Sequence, residues 1–490
     1  MLFSSIPFLL GFLPPTVCGF FVAGRWFGTR AALAWMLLAD LAFYGGWNPR
    51  HLPLLIGSIA INYTIGTHIR RFARAGDAGR ARRWMIAGVV FDLGLLAWFK
   101  YADFVLHVVS PTAGTLGIGL PLAISFFTFQ QIMFLVDSAR DPGPDRDPTG
   151  LSYAVFVSFF PHLIAGPIVR PAEILPQLRA GALIRPCPDN IAAGATIFLL
   201  GLAKKLVLAD LFCGFADTGF NAAAHGSALT LLEAWYAVLA YALQIYFDFS
   251  GYSDMAIGLA RMLNVRFPLN FDSPYQARDI ADFWRRWHIS LSRFLRDYLY
   301  IPLGGNRCGE VRRLANLMLT MLLGGLWHGA AWTFVAWGGL HGLYLITHRA
   351  WSRLGWRLPW IVAQAATLLA VVVAWVPFRA DGLAATVAML RGMAGLNGLA
   401  LPRMILDAAP ILGVVARPVP VLLSLGDAHT LSLPEVTACL LLGWVIVLVM
   451  PHIHALSERA RGWALTGSFA LSMQALFFAP HVAPFLYFRF

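Results

Sequence analysis

The sequence predicts an all-α polytopic membrane protein, and three observations carry that prediction. Of 490 residues, 58% are hydrophobic and only 13% charged, with a mean hydropathy of +0.66; a soluble globular chain carries about 25% charged residues. Apolar stretches able to cross about 30 Å of hydrocarbon as helices recur from end to end. The excess of 37 Lys+Arg over 25 Asp+Glu, a net charge of +12, sits mainly between those stretches and marks the cytoplasmic side by the positive-inside rule, not a nucleic-acid footprint. A soluble enzyme is excluded, and residues 1–490 read as a single membrane domain.

In chain order, spans are expected around Ile6–Val22, Ala31–Tyr44, Leu52–Ile65, Trp84–Trp98 with its continuation, Leu116–Val136 and Leu151–Ile168. Further spans are expected around Ile191–Leu211, Leu231–Leu263, Leu314–Thr347, Trp360–Phe378, Val436–Met450 and Ala464–Phe488. Some are short and some long enough to break in two, which gives roughly ten to twelve crossings. The N-terminus has no basic leader or clear small-residue cleavage site, so it reads as the first membrane helix.

Arg70, Arg71, Arg74, Arg80, Arg82 and Arg83 against the single acid Asp77 read as a cytoplasmic loop. Asp137–Pro148 reads as a surface loop, and residues 392–434, broken by Pro402, Pro410, Pro418 and Pro420, as irregular and interfacial. Cys18, Cys187, Cys213, Cys308 and Cys439 are scattered without C-x-x-C spacing, which predicts isolated thiols and no metal site.

Residues 272–313 depart from the pattern. Phe283, Trp287, Leu291, Phe294 and Tyr298 recur at helical spacing, with Arg285, Arg286, Arg293 and Arg296 on another face. An amphipathic helix follows, either lying on the membrane surface or lining a cavity. On that helix His288 projects about 140° from Phe283, at the margin of the two faces.

Ionisable groups at membrane depth are costly and mark function by default. His328 stands in Gly324-Gly325-Leu326-Trp327-His328-Gly329, with only apolar residues and glycine around it. A core histidine bonded to a carbonyl and a reactive one both fit that setting. His341, between glycines, reads as structural. Tyr241, Gln244, Asp248 and Tyr252 form one polar stripe that should face the protein interior. A nucleophile elbow, a Walker loop and a His-Glu-x-x-His motif are all missing, so any chemistry must be built from histidines.

Several long motifs together resemble the membrane-bound O-acyltransferase family in its bacterial alginate O-acetylation branch. They are Phe160-Pro161-His162-Leu163-Ile164-Ala165-Gly166-Pro167, Gln244-Ile245-Tyr246-Phe247-Asp248-Phe249-Ser250-Gly251-Tyr252, Asp282-Phe283-Trp284-Arg285-Arg286-Trp287-His288, and Leu326-Trp327-His328-Gly329. The resemblance implies a ring of membrane helices around a funnel, in the cell inner membrane, with His328 and His288 as the catalytic pair. It implies Gln244, Asp248, Trp287 and Trp327 along the funnel, and gives the basic face of Arg285, Arg286, Arg293 and Arg296 a second reading, as a donor mouth beside that of a solvated face.

The implied reaction moves an acyl group from a cytoplasmic thioester to a hydroxyl. Acetyl-CoA is the expected cosubstrate, an acyl-carrier thioester the variant, and no cofactor is bound. A periplasmic SGNH-type acetyltransferase is the expected partner and an exported polysaccharide the final acceptor: alginate first, with cellulose, peptidoglycan or teichoic acid as alternatives. The ending Phe485-Leu486-Tyr487-Phe488-Arg489-Phe490 is similar to an aromatic tail associated with acyl relay, which makes Tyr487 a candidate carrier beside the plainer reading of an aromatic belt. A transporter or channel that relays protons through the same histidines is the rival class.

Overall fold

The computed structural model describes residues 2–143, 147–399, 433–455, 458–478 and 485–486. Helices dominate, and there is no strand among the described residues. In chain order they are α1 (Leu13–Phe27), α2 (Thr29–Gly45), α3 (Leu52–Arg74), α4 (Ala78–Leu96), α5 (Ala102–Val109), α6 (Ile124–Arg140), α7 (Gly150–Ser158), α8 (Phe160–Leu163), α9 (Pro171–Arg179) and α10 (Pro188–Ala203). Then come α11 (Asp210–Ala224), α12 (Leu231–Met262), α13 (Ile280–Arg286), α14 (Ile289–Phe294), α15 (Glu310–His328), α16 (Trp332–Arg353), α17 (Trp360–Arg379), α18 (Leu383–Met393), α19 (Leu433–Val449) and α20 (Glu458–Phe478).

Among the described residues five helical stretches are long and apolar enough to cross a membrane: Pro7–Phe27, Pro49–Arg74, Ala78–Val109, Pro188–Ala224 and Trp360–Arg379. With the shorter apolar helices they make an all-α polytopic membrane protein. The remaining long helices are either buried in protein or carry charges at their ends. The 32-residue α12 is the extreme case, for it is buried on nearly every face. Its polar side chains Gln244, Asp248 and Asp254 are buried with it, in an interior that protein supplies.

Glycine sets how closely the central helices pack. A Cβ on Gly201 or Gly194 of α10 would meet the backbone oxygen of Gly251 or Gly258 of α12. The same device joins α15 to α16, where a Cβ on Gly325 or Gly338 would run into the Phe334 or Met321 carbonyl. Gly325, three residues before His328, therefore serves backbone contact between two helices.

Several expected elements are corrected. The span foreseen over Leu116–Val136 begins only at Ile124, because Gly114, Gly117, Gly119 and Pro121 keep the preceding chain out of a helix. Leu151–Ile168 is no span either. It breaks at Phe159 into α7 and the single turn α8, where the buried Asp40 carboxylate accepts the freed Phe160 N–H at 2.9 Å. Leu314–Thr347 divides at His328 into α15 and α16.

The basic loop from Arg70 to Arg83 is instead two helix ends joined by a three-residue turn. Arg70 is buried there and bonds Asp147 at 2.8 Å, and Arg74 bonds the same carboxylate at 2.6 Å. Of the irregular region 392–434, residues 400–432 lie outside the described residues, and so does Tyr487.

Candidate active site: two histidines around Trp327

The expected continuous amphipathic helix is broken at its histidine. α13 ends at Arg286, α14 starts at Ile289, and His288 between them has φ 43° and ψ 55°. This left-handed conformation is uncommon for a residue with a side chain and costs of order 1–3 kcal/mol, so it persists only where the surroundings enforce it. The segment 270–272 enforces it. The Asn270 carbonyl accepts Ile289 N–H at 3.0 Å, and the Arg286 carbonyl accepts Asp272 N–H at 2.9 Å. The placement of His288 on a helix margin is thus corrected: the backbone breaks so that the ring points inward, and it is fully buried. The apolar stripe holds, since Phe283, Trp287, Leu291 and Phe294 are buried in protein.

The Asn270 side chain also sets the chemistry of that ring. Its Oδ1 accepts Ser290 N–H at 3.2 Å and Ser290 Oγ–H at 2.8 Å, and its Nδ2 donates to Ser253 Oγ at 3.1 Å. A backbone N–H can only donate, so the atom facing it is the amide oxygen. His288 Nδ1, 3.2 Å from the same oxygen, must then carry the proton. Nε2 is left with its lone pair, buried and without a partner among the described residues. The support reaches further back, for Ser290 Oγ also accepts Ile168 N–H at 2.9 Å. That contact ties the turn to the motif holding His162, whose own Nδ1 lies 2.7 Å from Gln130 Nε2.

His328 is the last residue of α15 and is buried, and Gly329 after it is extended. The Trp327 indole packs against both histidines, its centroid 6.3 Å from His288 and 4.9 Å from His328. Trp337 and Phe378 also meet His328 with edge-on rings at 5.0 and 5.2 Å. Trp284 Nε1 donates to His341 Nδ1 at 3.3 Å, which fits the structural reading of His341. The indole nitrogens of Trp327 and Trp337 and Nε2 of His341 are buried without hydrogen-bond partners among the described residues. Unsatisfied polar atoms gathered around two histidines are what a polar ligand or an acyl path requires.

A cavity of about 160 Å³ reaches His328 past Trp47, Lys100, Pro121, Phe126 and Trp327. α15 starts within a cluster in which Glu310 pairs with Arg313, Arg349 and Arg353. Its 19 residues carry His328 about 27 Å from that cluster at 1.5 Å per residue. The cavity therefore adjoins the end of α15 remote from the arginines.

The other expected site residues fall in several places. Trp287 is buried and stacks on Phe283 at 5.7 Å. Gln244 is buried and its Oε1 is without a partner among the described residues. Asp248 is an anchor: it pairs with Lys205 at 2.8 Å, and its Oδ2 accepts Leu486 N–H at 2.9 Å. Phe485 stacks on Tyr252 at 4.4 Å and lies 6.3 Å from Phe249, whose ring meets His288 edge-on at 4.7 Å.

Of the four arginines, Arg286 pairs with Asp282 at 3.0 Å and Arg293 with Glu173 at 2.5 Å. Arg285 and Arg296 are mostly exposed, at 66% and 60%, and pair with the nearby Asp282 and Asp297. Sequence reasoning missed Asn270, Ser290 and Lys100. A lysine within an apolar run was the available signal for Lys100, whereas Asn270 lies in a stretch with no marker of its own.

Residues 139–378 match the family model described as MBOAT, membrane-bound O-acyltransferase family. The chain is 40% identical to the "Peptidoglycan O-acetyltransferase" of Helicobacter pylori, over 100% of this chain and 98% of that protein. It is 42% identical to the "Probable alginate O-acetylase AlgI" of Pseudomonas aeruginosa, over 78% of this chain and 73% of that protein. A more distant relative is the "Teichoic acid D-alanyltransferase" of Streptococcus thermophilus, 29% identical over 51% of this chain and 62% of that protein. Both histidines fall inside the matched region, and the chain belongs to the membrane-bound O-acyltransferase family and is an acyltransferase.

Proposed function

We propose that the protein takes an acetyl group from a cytoplasmic thioester, acetyl-CoA, and passes it across the membrane to a glycan hydroxyl. The observation that carries this reading is the pair of buried histidines that both pack against Trp327, one of them holding a ring nitrogen without a partner among the described residues. With the arginine-rich helix ends taken as cytoplasmic, the donor approaches from their side and the acceptor through the cavity at His328. His328 removes the proton of the acceptor hydroxyl, whose oxygen attacks the thioester carbonyl carbon. The tetrahedral intermediate collapses with cleavage of the C–S bond, and His328 returns the proton to the thiolate. The products are an ester and a free thiol.

His288 serves as the orienting group. Its Nε2 lone pair can accept a hydroxyl proton in a hydrogen bond, but a nitrogen without a proton cannot donate to the thioester oxygen. Orientation of the acceptor is thus favoured over polarisation of the carbonyl.

Whether the hydroxyl is that of a glycan, of Tyr487 as a relay, or of a periplasmic SGNH-type partner is the finer step. The Leu486 N–H bond to Asp248 and the Phe485 stack support the relay, because they hold the two residues before Tyr487 one aromatic ring from His288. The end-to-end likeness to a peptidoglycan O-acetyltransferase supports peptidoglycan as acceptor beside alginate.

The test is thiol release from acetyl-CoA by the purified protein in detergent. Wild type releases thiol, and His328→Ala falls to the background rate. Equal rates for the two would end the acyl-transfer reading. Intact mass after donor exposure tests the relay, and an acetyl adduct that persists in Tyr487→Phe would remove it.

A further inference from the structure

An α-helix leaves its last carbonyls without intrahelical donors, and α15 ends on the residue that matters most. A side chain from elsewhere takes each of the last three. Tyr101 Oη–H donates to the Leu326 carbonyl at 2.9 Å, and Lys100 Nζ donates to those of Trp327 at 2.5 Å and His328 at 3.1 Å. The third ammonium proton faces Ser125 Oγ on α6 at 3.3 Å. Lys100 and Tyr101 are neighbours in sequence, on the π-helical turn Ala97–Tyr101 that continues α4. The wider turn brings both side chains to one helix end.

Lys100 also lines the cavity that reaches His328. A cation at a helix C-terminus is favourable, yet a lysine at this depth is costly unless its donors are used. Here all three have acceptors, and two of those acceptors belong to Trp327 and His328 themselves.

We infer that Lys100 is a positioning residue for acyl transfer, fixing the last turn of α15 so that the His328 ring is held in one orientation against the cavity. The inference rests on the proposed acyl transfer. The ammonium does not exchange a proton with substrate; it acts through the backbone of His328, and Tyr101 assists by fixing the carbonyl two residues earlier.

The test uses the full chain in detergent with acetyl-CoA as donor, and reads kcat, KM and the thermal midpoint. Lys100→Met removes all three donors and is expected to lower kcat at least about tenfold, because displacement of a catalytic group by about 1 Å costs up to about a hundredfold. KM for the donor stays within about twofold, since the donor's own contacts are untouched. Lys100→Arg keeps donors for both carbonyls and recovers kcat to within about threefold of wild type.

A Lys100→Met protein with wild-type kcat overturns the inference, as does a loss that Lys100→Arg does not relieve and that appears equally in KM. Should Lys100→Met fail to fold, Tyr101→Phe decides: kcat down about threefold with KM unchanged supports the clamp, and unchanged kcat overturns it. His328→Ala separates the two levels. If it is inactive while Lys100→Met is fully active, only this inference fails; if it is active, the acyl-transfer reading fails with it.

Discussion

Two buried polar regions lie side by side in this protein, and they are built on opposite rules. Where α10, α11 and α12 meet, Lys204 and Lys205 are both paired with carboxylates. Lys205 pairs with Asp210 and Asp248, each at 2.8 Å, and Lys204 with Asp254 at 2.7 Å, which His454 also approaches at 3.1 Å. Around Trp327 several buried groups lack partners among the described residues: His288 Nε2, Trp327 Nε1, Trp337 Nε1 and His341 Nε2. A network of paired charges holds helices together. An unsaturated one weakens the fold and keeps its bonding capacity for what enters. Ionisable residues at membrane depth thus divide by whether they are already satisfied, not by whether they are charged.

The largest effect is expected in the saturated region. Lys205→Met leaves Asp210 and Asp248 facing each other without their shared cation, and breaking a buried pair costs about 3–5 kcal/mol. The thermal midpoint in detergent should fall steeply, with poor recovery of folded protein, and Lys205→Arg should restore most of it. A Lys205→Met protein that unfolds with the wild-type midpoint would show that this network is not what joins α10 and α11 to α12.

The histidine region should behave in the opposite way. Asn270→Ala removes the acceptor of Ser290 N–H, Ser290 Oγ and His288 Nδ1, and frees the imidazole to change tautomer and orientation. Stranded donors cost about 1–3 kcal/mol, so the midpoint should move modestly while kcat falls about tenfold or more. Asn270→Asp keeps the acceptor and should retain more activity than the alanine variant. If Asn270→Ala loses stability and keeps its turnover, the tautomer argument for His288 is wrong.

The sequence showed the class of the fold and the identity of the two histidines more fully than it showed the setting of either. Apolar length makes membrane helices legible, and Trp360–Phe378 was placed almost to the residue. Breaks were less legible, because what ends α13 is a distant segment, 270–272, donating and accepting across the gap. Periodicity over Phe283, Trp287, Leu291, Phe294 and Tyr298 survives a kink that keeps the apolar side inward, so a helical pattern could not reveal it. Asp248 was foreseen as part of an inward stripe, but its pairing with Lys205 joins residues on different helices, which no local pattern encodes. Lys100 was visible as a charge in an apolar run. Its role was not, since its acceptors are backbone atoms 227 and 228 residues away.

The smallest effects belong to the surface charges beside this centre, where the same rule of satisfaction applies with water as competitor. Arg293 and Arg286 have carboxylate partners at 2.5 and 3.0 Å, and exposed pairs of that kind are worth about 0–1 kcal/mol. Arg285 and Arg296 keep most of their surface in water and are the ones able to attract the phosphates of the proposed coenzyme A donor. Arg285→Gln with Arg296→Gln should raise KM for acetyl-CoA about two- to fivefold at low ionic strength with kcat unchanged. The increase should fade toward 1 M salt, where screening acts within about 3 Å. Arg293→Gln should instead leave KM alone and lower the midpoint slightly. A KM that ignores both salt and the double substitution would make this basic face a solvated surface and move the donor mouth elsewhere on the arginine-rich side.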